Sequence, residues 1–438
     1  MAVDVILGLQ WGDEGKGKIV DLLASKYDIV ARFQGGPNAG HTIQFDNNKF
    51  ILHTVPSGIS SEKTTNIIGN GVLIDPFIFQ KEVKLLDSHN INARKNLFIS
   101  RRAHLIAPSH RLLDGALERS RGVRKIGSTL KGIGPAYTDK IAREGIRIGD
   151  IEHPDFQKKL KALESDHFRT IRSLGYEPSD FQIENMTYEL YASQWNESLN
   201  VLKEFRFADT EIIINTAISE NKNVLAEGAQ GTLLDIDFGS YPFVTSSNTT
   251  TGGVCTGLGI PPSSISKVFG IIKAYCTRVG SGPFPTELMD EDGDKLRVAG
   301  NEFGSTTGRP RRCGWIDLTA LRYSIMINGV TDLIITKSDV LDTFETIRAC
   351  NSYIINENNV FYPPFDIERE NIQLVLSEHK GWKTNITEIK DWEKFPAEFK
   401  QYISFIESEL NKPVSIVSTG PKRNQTIFRN PSFKPIQL

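Results

Sequence analysis

The sequence predicts an α/β protein with a large, mostly parallel central sheet flanked by helices. Three observations predict it: short apolar runs recur along the chain, glycines or polar turns end them, and helical patterns lie between them. An apolar run without alternation is typical of a strand that is covered on both faces, as in a parallel sheet between helix layers. Strand and helix signals that alternate favour the α/β class.

Seven apolar runs are predicted to be strands: Val3–Leu9, Ile29–Phe33, Leu97–Ser100, Val224–Glu227, Val268–Ala274, Leu333–Lys337 and Val414–Ser418. Apolar residues recur at helical spacing from Phe156 to Leu174 and from Phe399 to Leu410, which predicts two helices. The segment from about 150 to 220 is charged and helical, and the segment from about 342 to 400 is polar. Neither contains a flexible linker, so residues 1–438 are predicted to form one domain with two inserted segments.

Composition limits the classes of function. The 438 residues are 39% hydrophobic and 24% charged, which is typical of a folded soluble protein. A net charge of −2 does not indicate a nucleic-acid or membrane partner, and no run approaches the roughly 18 apolar residues of a membrane span. Four scattered cysteines suit a reducing compartment, so the sequence predicts a cytoplasmic protein.

The first chemical motif is a glycine-rich loop after the first predicted strand, made of Gly12, Asp13, Glu14, Gly15, Lys16, Gly17 and Lys18. Its G-x-x-x-x-G-K spacing lets backbone N–H groups surround a phosphate, while the lysines add positive charge. Ile19 stands where such loops usually supply a hydroxyl ligand to Mg²⁺. Asp13 is therefore the predicted carboxylate ligand of the metal.

A second glycine-rich loop, QGGPNAGHT at 34–42, follows the second predicted strand. Its glycines and Asn38 suit close approach to a ligand, and His41 can give or take a proton near neutral pH. A histidine in such a turn is more often structural when it stands alone. The neighbouring phosphate loop makes His41 a candidate catalytic residue.

The motif TKSD at 336–339 ends a predicted strand and indicates a guanine site. The stem of Lys337 can stack on a purine, while the carboxylate of Asp339 accepts from N1–H and the exocyclic amine of guanine. The turn STGP at 418–421 follows another predicted strand and can close the other side of the base pocket. The motif alone is weak evidence, and the phosphate loop upstream strengthens it.

The segment GSTTGRPRR at 304–312 places three arginines beside hydroxyls and glycines. Guanidinium groups bind carboxylates through paired hydrogen bonds, so this segment favours a ligand that carries carboxylates. A solvated basic loop is the alternative. Three further stretches, at 126–135, 227–235 and 245–253, mix glycines with amide or hydroxyl side chains, as loops around ligands commonly do.

Together these motifs resemble the adenylosuccinate synthetase family, nearly from end to end. The matching blocks are QWGDEGKGK at 10–18, QGGPNAGHT at 34–42, GSTLKGIGPAYTDKIAREGIR at 127–147, EGAQGTLLDIDFGSYPFVTSSNTT at 227–250, TRVGSGPFPTE at 277–287, GSTTGRPRR at 304–312, TKSDVLD at 336–342 and STGP at 418–421. So many long blocks in one order are far more specific than any single glycine motif.

The resemblance implies GTP-dependent ligation of L-aspartate to IMP, giving adenylosuccinate, GDP and phosphate, the first committed step from IMP to AMP. Asp13 would take the proton from N1 of IMP, so that the 6-oxygen attacks the γ-phosphate of GTP. His41 would donate a hydrogen bond or proton to the departing phosphate oxygen. The amine of aspartate would then displace phosphate from 6-phosphoryl-IMP.

The resemblance also implies the binding residues. IMP would contact Asp13, Glu14, Gly15, Lys16, Asn38, Ala39, Gly40, His41, Thr129, Gln230, Thr245 and Arg309, with Arg143 from the neighbouring subunit of a homodimer. GTP would contact Gly12, Asp13, Glu14, Gly15, Lys16, Gly17, Lys18, Gly40, His41, Thr42, Arg311, Lys337, Ser338, Asp339, Ser418, Thr419 and Gly420. Aspartate would contact Ser305, Thr306, Thr307, Gly308, Arg309, Pro310 and Arg311. Mg²⁺ would be held by Asp13 and the carbonyl of Gly40.

Two positions depart from the commonest family pattern: Ser128 replaces a threonine, and Pro310 interrupts an arginine run. A guanine-nucleotide switch or GTPase is the main alternative function. It explains the phosphate loop and TKSD, but neither the arginine segment nor the block at 227–250. A nucleotide kinase fits less well, because Ile19 replaces the usual hydroxyl residue and the base signal indicates guanine.

Overall fold

The computed structural model describes residues 3–45, 48–303, 308 and 310–434. Twenty strands lie in these residues: β1 (Val3–Gly8), β2 (Ile29–Arg32), β3 (His41–Phe45), β4 (Asn48–Leu52), β5 (Thr65–Ile68), β6 (Leu73–Ile74), β7 (Leu97–Ser100), β8 (His104–Leu105), β9 (Arg206–Ala208), β10 (Val224–Glu227), β11 (Ile265–Lys273), β12 (Cys276–Arg278), β13 (Arg312–Gly314), β14 (Ile316–Asp317), β15 (Asp332–Thr336), β16 (Thr346–Ile355), β17 (Asn358–Val360), β18 (Gln373–Lys380), β19 (Val414–Ser418) and β20 (Thr426–Phe428).

Eleven α-helices accompany them in the same described ranges: α1 (Lys16–Leu23), α2 (Pro76–Ser88), α3 (Pro108–Ser120), α4 (Ile133–Ala142), α5 (Phe156–Ser173), α6 (Tyr188–Leu202), α7 (Thr210–Ser219), α8 (Thr251–Leu258), α9 (Glu291–Ala299), α10 (Leu318–Asn328) and α11 (Ala397–Leu410). In this part of the chain, no helix combines the length and apolarity needed to cross a membrane.

A ten-stranded sheet organises the molecule, in the order β20-β19-β15-β11-β1-β10-β2-β5-β7-β9. Neighbouring strands are parallel except for the β19–β20 pair. The α/β class and the mostly parallel sheet are thus confirmed. All seven runs predicted to be strands lie in this sheet, and the two predicted helices correspond to α5 and α11.

Both faces of the central strands are buried, which explains their unalternating apolar sequences. In β1, Val5 and Leu7 belong to the large core that also contains residues of α7, α8, α10 and α11. Ile6 faces the other way and packs against α1 through Ile19 and Val20. A strand covered on both sides has no solvent face that would favour alternate polar residues.

A second large core lies at the far end of the sheet. It joins β5 and β7 to α2, α3, α5 and α6, with Trp195 and Phe79 buried inside it. The segment around 342–400 contains β16, β17 and β18, which pair antiparallel beside β14. The second core and the small antiparallel sheet leave the carboxyl ends of the parallel strands free to carry loops. These ends are the usual place for a ligand site in open α/β sheets.

Candidate active site

The predicted site loops gather at the carboxyl ends of strands in one half of the large sheet, from β19 to β2. The phosphate loop follows β1, the loop ending in His41 follows β2, TKSD follows β15, and the STGP turn follows β19. Side-chain contacts join them: Lys16 donates to the carbonyl of Gln230, and Thr336 Oγ1 lies 2.6 Å from the carbonyl of Glu14. The fold therefore brings together motifs whose contacting residues are up to 402 positions apart in sequence.

Glu14 stabilises the phosphate loop through contacts with other residues of the loop. Gly12, Asp13 and Gly15 adopt positive φ angles of 86°, 60° and 88°, a conformation that only glycine adopts without cost. The buried carboxylate of Glu14 accepts from the backbone N–H of Gly12 at 2.9 Å and pairs with Lys16 Nζ at 2.6 Å. α1 begins at Lys16, so its free N–H groups face the end of the loop, where an anion binds favourably.

Lys18 connects the phosphate loop to the STGP turn. Its buried Nζ donates to Ser418 Oγ and to the carbonyl of Gly420, each at 2.7 Å, and to the carbonyl of Gln425 at 3.0 Å. Burial lowers the pKa of Lys18 to about 7, against the opposing charge of Asp339. The sequence predicted Lys18 to bind nucleotide, and in this structure its ammonium holds the turn beside the predicted guanine site.

His41 is oriented by a carboxylate from the next strand of the sheet. Its Nδ1 lies 2.5 Å from Glu227 Oε1 at the end of β10, and Glu227 also accepts from the backbone N–H of Ser57 at 2.8 Å. His41 is only 5% exposed, and its Nε2 has no partner among the described residues. A Cβ added to Gly17 would lie 2.8 Å from His41 Cβ, so His41 packs closely on the phosphate loop.

Opposing effects set the charge of this pair. Burial lowers the pKa of His41, while the hydrogen bond to Glu227 acts in the other direction. Burial acts to raise the pKa of Glu227, but the hydrogen bond from His41 and the charge of Arg32 outweigh it and lower the pKa. A carboxylate facing Nδ1 requires the proton on that nitrogen, so the neutral ring presents a lone pair at Nε2.

Glu227 ends the predicted strand at 224–227 and begins the candidate ligand loop at 227–235, but the sequence predicts no individual role for it. The available signal was a lone carboxylate at the carboxyl end of an otherwise apolar run, where the sheet carries its ligand loops.

Several polar atoms on the predicted IMP side are buried without a partner in the described chain. These atoms are Asn38 Oδ1 and both amide atoms of Gln230. The Nδ2 of Asn38 makes one long contact, 3.4 Å, with Thr245 Oγ1. Because buried polar groups are nearly always satisfied in folded proteins, these atoms are available to a polar ligand or to water.

Two predicted IMP residues, Thr129 and Arg143, lie exposed at either end of α4. The loop that carries Thr129 is held by Glu118, which accepts from Gly127 N at 2.7 Å. Arg143 follows the last turn of the helix with φ 69°. Tyr137 in the middle of α4 accepts from the backbone N–H of Gly35 at 3.1 Å, so this helix packs directly on the second glycine-rich loop.

The predicted guanine and aspartate residues meet around Glu302. Lys337 Nζ lies 2.9 Å from Glu302 Oε1, and Arg311 Nη1 lies 2.5 Å from Oε2. Arg311 Nε also lies 2.9 Å from Asp13 Oδ2 in the phosphate loop. Among the described residues, the hydroxyls of Ser338 and Thr419 are buried without partners, and burial raises the pKa of Asp339.

The arginine segment is only partly described. Gly308 and Pro310 are exposed, and Arg311 is buried. Ser305, Thr306, Thr307 and Arg309 lie outside the described residues.

Asp13 and Gly40 suit the Mg²⁺ that the sequence implies. Both lie in the loops around His41, both are partly exposed, and they offer a carboxylate and a backbone carbonyl. Oxygen donors of these kinds are the ligands that Mg²⁺ prefers. The donor set therefore fits the ion.

A separate cluster, His110, Asp139 and His167, also contains metal-ligand residue types. His110 Nδ1 accepts from the backbone N–H of Ala107 at 2.8 Å, so its proton lies on Nε2, which donates to Asp139 Oδ2 at 2.8 Å. His167 Nε2 lies 2.8 Å from the same oxygen. Metal binding at His110 Nε2 would move the proton to Nδ1, against the N–H of Ala107, so the cluster is a hydrogen-bonded network.

Known proteins resemble this chain along nearly its whole length. A family model described as adenylosuccinate synthetase matches residues 5–427. The chain is 56% identical over 431 residues to the adenylosuccinate synthetase of Parabacteroides distasonis, covering 98% of this chain and 99% of that protein. It is 54% identical over 429 residues to the adenylosuccinate synthetase of Bacteroides thetaiotaomicron, with coverage of 98% and 99%.

Two solved structures are also similar. The fully ligated adenylosuccinate synthetase from Plasmodium falciparum superposes with a TM-score of 0.88 at 36% identity, covering 98% of this chain and 100% of that one. The succinoaminodeoxyadenylate synthetase of cyanophage S-2L gives a TM-score of 0.61 at 20% identity, covering 98% and 95%. The second likeness concerns the fold alone.

Proposed function

This chain belongs to the adenylosuccinate synthetase family, and from that premise we propose how its residues divide the reaction among them. The activity is GTP-dependent ligation of L-aspartate to IMP, which yields adenylosuccinate and belongs to purine biosynthesis. A guanine-nucleotide switch without ligase activity is not favoured. The observation that carries the assignment of roles is the His41–Glu227 pair: Glu227 holds Nδ1, Nε2 is buried without a partner among the described residues, and His41 packs on Gly17 of the phosphate loop.

In the first step, Asp13 takes the proton from N1 of IMP, and the 6-oxygen then attacks the γ-phosphate of GTP. Asp13 is suited to this task because a left-handed backbone presents its partly exposed carboxylate between two glycines. The unpartnered atoms of Asn38 and Gln230 supply hydrogen bonds that orient the purine. Phosphorylation turns a poor leaving oxygen into a good one, so orientation and charge carry much of the catalysis.

His41 stabilises the negative charge that develops on the departing phosphate oxygen. Glu227 fixes the ring through Nδ1, so that Nε2 is directed away from the carboxylate. When a phosphate oxygen approaches Nε2, its negative charge favours the protonated ring, which can then donate. Lys16 and the N–H groups at the start of α1 bind phosphate oxygens beside it.

The guanine base lies between TKSD and the STGP turn. Lys337 stacks on the ring, Asp339 accepts from N1–H and the exocyclic amine, and the hydroxyls of Ser338 and Thr419 are available for further hydrogen bonds. Lys18 keeps Ser418 and Gly420 in place from the phosphate side.

In the second step, the amine of aspartate displaces phosphate from 6-phosphoryl-IMP. Arg311 binds a carboxylate of aspartate, since a guanidinium matches the geometry of a carboxylate. We propose that this pocket is completed by Ser305, Thr306, Thr307, Gly308, Arg309 and Pro310. Asp13 and Gly40 hold Mg²⁺, which supplies positive charge to the phosphates when bound.

We further propose that the enzyme works in the cytoplasm as a homodimer in which Arg143 reaches the IMP phosphate of the partner subunit. Arg143 is exposed at the end of α4 and is available to a second chain. A single subunit would then lack part of its own IMP site. In a two-fold dimer, each subunit completes the site of the other.

Subunit complementation tests this arrangement. Arg143→Leu and Asp13→Ala are each expected to be nearly inactive alone. After subunit exchange in an equimolar mixture, half of the dimers are mixed, and one of their two sites has wild-type residues at both positions. We expect recovery of about a quarter of wild-type turnover.

A mixture of Asp13→Ala with His41→Asn is the matched control. Both of these residues belong to the same site of the same chain, so mixing leaves one lesion in every site and should restore nothing. If mass spectrometry confirms exchange and the Arg143 mixture also stays inactive, Arg143 does not act across the interface.

A further inference from the structure

Glu302 is a buried carboxylate between two proposed substrate pockets, and the proposed reaction gives it no step. It follows α9, and its side chain is fully buried. Four side chains contact it: Lys273 Nζ at 3.2 Å, Lys337 Nζ at 2.9 Å, Arg311 Nη1 at 2.5 Å, and the hydroxyl of Tyr275. Three of these four donors belong to cationic side chains.

The two carboxylate oxygens serve different pockets. Oε1 accepts from Lys337, which lies in the proposed guanine pocket, and from Lys273 and Tyr275. Oε2 accepts from Arg311, which lies in the proposed aspartate pocket and also contacts Asp13. One side chain therefore links Lys337, which is proposed to meet guanine, to Arg311, which is proposed to meet aspartate and is also among the implied GTP contacts.

Glu302 does not act as an acid or base. Burial acts to raise its pKa, but the charges of Lys273, Lys337 and Arg311 outweigh burial and hold the pKa well below the usual range. The group therefore stays ionised throughout the working pH range. Its effect must come from its charge and from the positions of its two oxygens.

We propose that Glu302 is a positioning residue that fixes Lys337 for guanine and Arg311 for aspartate at the same time. Both cations have long side chains with many rotamers, and each is held in one place by an oxygen of the same carboxylate. Lys337 is further fixed by the carbonyl of Gly300 at 2.6 Å. This inference rests on the pocket assignments of the proposed function.

The competing explanation is that Glu302 only neutralises the buried ammonium of Lys273. That role needs a negative charge but does not depend on the length of the side chain. Glu302→Gln removes the charge and keeps the length, whereas Glu302→Asp keeps the charge and shortens the side chain by one methylene. The two variants therefore separate charge from position.

For Glu302→Gln we expect the KM values for GTP and for aspartate each to rise about 10-fold or more, as for a lost hydrogen bond between charged groups. The KM for IMP should stay within about twofold, because the contacts of Glu302 with described residues reach the IMP side only through Arg311 and Asp13. Glu302→Asp should remain as stable as the wild type in urea unfolding and still raise both KM values. Wild-type KM values in Glu302→Asp would overturn the proposal and leave only charge neutralisation.

Asp317→Asn is the matched control. Asp317 is also fully buried and accepts from a buried tyrosine, Tyr353, but it caps α10 and touches none of the proposed pocket residues in the described chain. This variant should leave all three KM values unchanged. If it raises those for GTP and aspartate as Glu302→Gln does, the effect is general destabilisation and the proposal fails.

Two single variants test the pocket assignments separately. Arg311→Leu should raise the KM for aspartate, and Lys337→Met should raise the KM for GTP. If neither changes, the proposed pockets are wrong. If both change while Glu302→Gln does not, the pockets stand and the positioning role of Glu302 is overturned.

Discussion

At the scale of single residues, His41 and Glu227 form a pair whose geometry decides which nitrogen is available to a phosphate. The two residues are 186 positions apart in sequence, yet Nδ1 and the carboxylate lie 2.5 Å apart. Sequence patterns revealed His41, because a glycine-rich motif surrounds it. They did not reveal Glu227 or Glu302 as functional, because their importance depends on partners that only the folded chain brings near.

Replacing Glu227 with Gln should slow turnover by about 10²–10⁴-fold, the range expected when a single acid–base group is disabled. Gln can face Nδ1 with either amide atom, so the ring is no longer held in one tautomer. The KM for IMP should hardly change, since Glu227 lies behind the histidine. Steady-state kinetics with each substrate varied in turn measures both effects.

Ser57→Ala is the control, because it removes one hydroxyl donor to Glu227 and keeps both members of the pair. Ser57→Ala should lower turnover much less than Glu227→Gln does. An equal loss in the two variants would mean that the Ser57 turn, and not the carboxylate, supports catalysis.

At the scale of elements, α4 connects the loop at 34–42, which is proposed to bind IMP, to Arg143, which is proposed to bind the IMP of the partner subunit. Tyr137 packs it on the loop at 34–42, and Arg143 follows its carboxyl end. Asp139 fixes the last turn through His110 on α3 and His167 on α5. The sequence predicted α5 from its apolar spacing, but its role as a support for α4 comes from packing between distant segments.

Asp139→Asn should lower the free energy of unfolding by about 2 kcal/mol at pH 7, because a charged acceptor shared by two imidazoles is lost. The hydrogen bonds from His110 and His167 outweigh burial and hold the pKa of Asp139 well below its usual range. The carboxylate therefore stabilises the fold above the unfolded pKa of about 4, and this contribution is lost as pH falls through the lower folded value. Urea unfolding should show a constant difference between wild type and variant from pH 8 to 5 and a smaller one below about pH 4.

The same variant should raise the KM for IMP if the last turn of α4 positions Arg143. Thr138→Ala, on an exposed site of the same helix, is the control and should change neither property. If Asp139→Asn lowers stability but leaves the KM for IMP unchanged, Asp139 supports the fold of α4 without positioning Arg143.

At the scale of the whole molecule, one sheet runs through two hydrophobic cores. β1 and β11 lie in the first core, β5 and β7 border the second, and β10 and β2 join them. The seven strands predicted from sequence are buried on both faces and contain at least four residues. The sequence did not predict the other three strands of this sheet: β9 and β20 have three residues each, and β5 begins with the polar residues Thr65 and Asn66. The strand order depends on pairings that local patterns do not encode.

Continuity of the sheet leads us to expect one cooperative unfolding transition. Trp195 alone of the five tryptophans lies in the second core, whereas α2, α3, α5 and α6 surround that core and contribute much of the helical signal. Urea midpoints from tryptophan fluorescence and from far-ultraviolet circular dichroism should therefore coincide. Separated midpoints would show that the two cores unfold independently.

The two borders of the large sheet have a consequence for colloidal behaviour. A long exposed border strand offers free N–H and C=O groups to other molecules and promotes aggregation. Here the borders are β9 and β20, each three residues long, and β9 begins with the exposed Arg206. These border strands are short, and one of them carries a charge, so they offer few backbone groups with which another strand could pair. Despite its ten strands, the sheet thus offers little template for strand addition at either border.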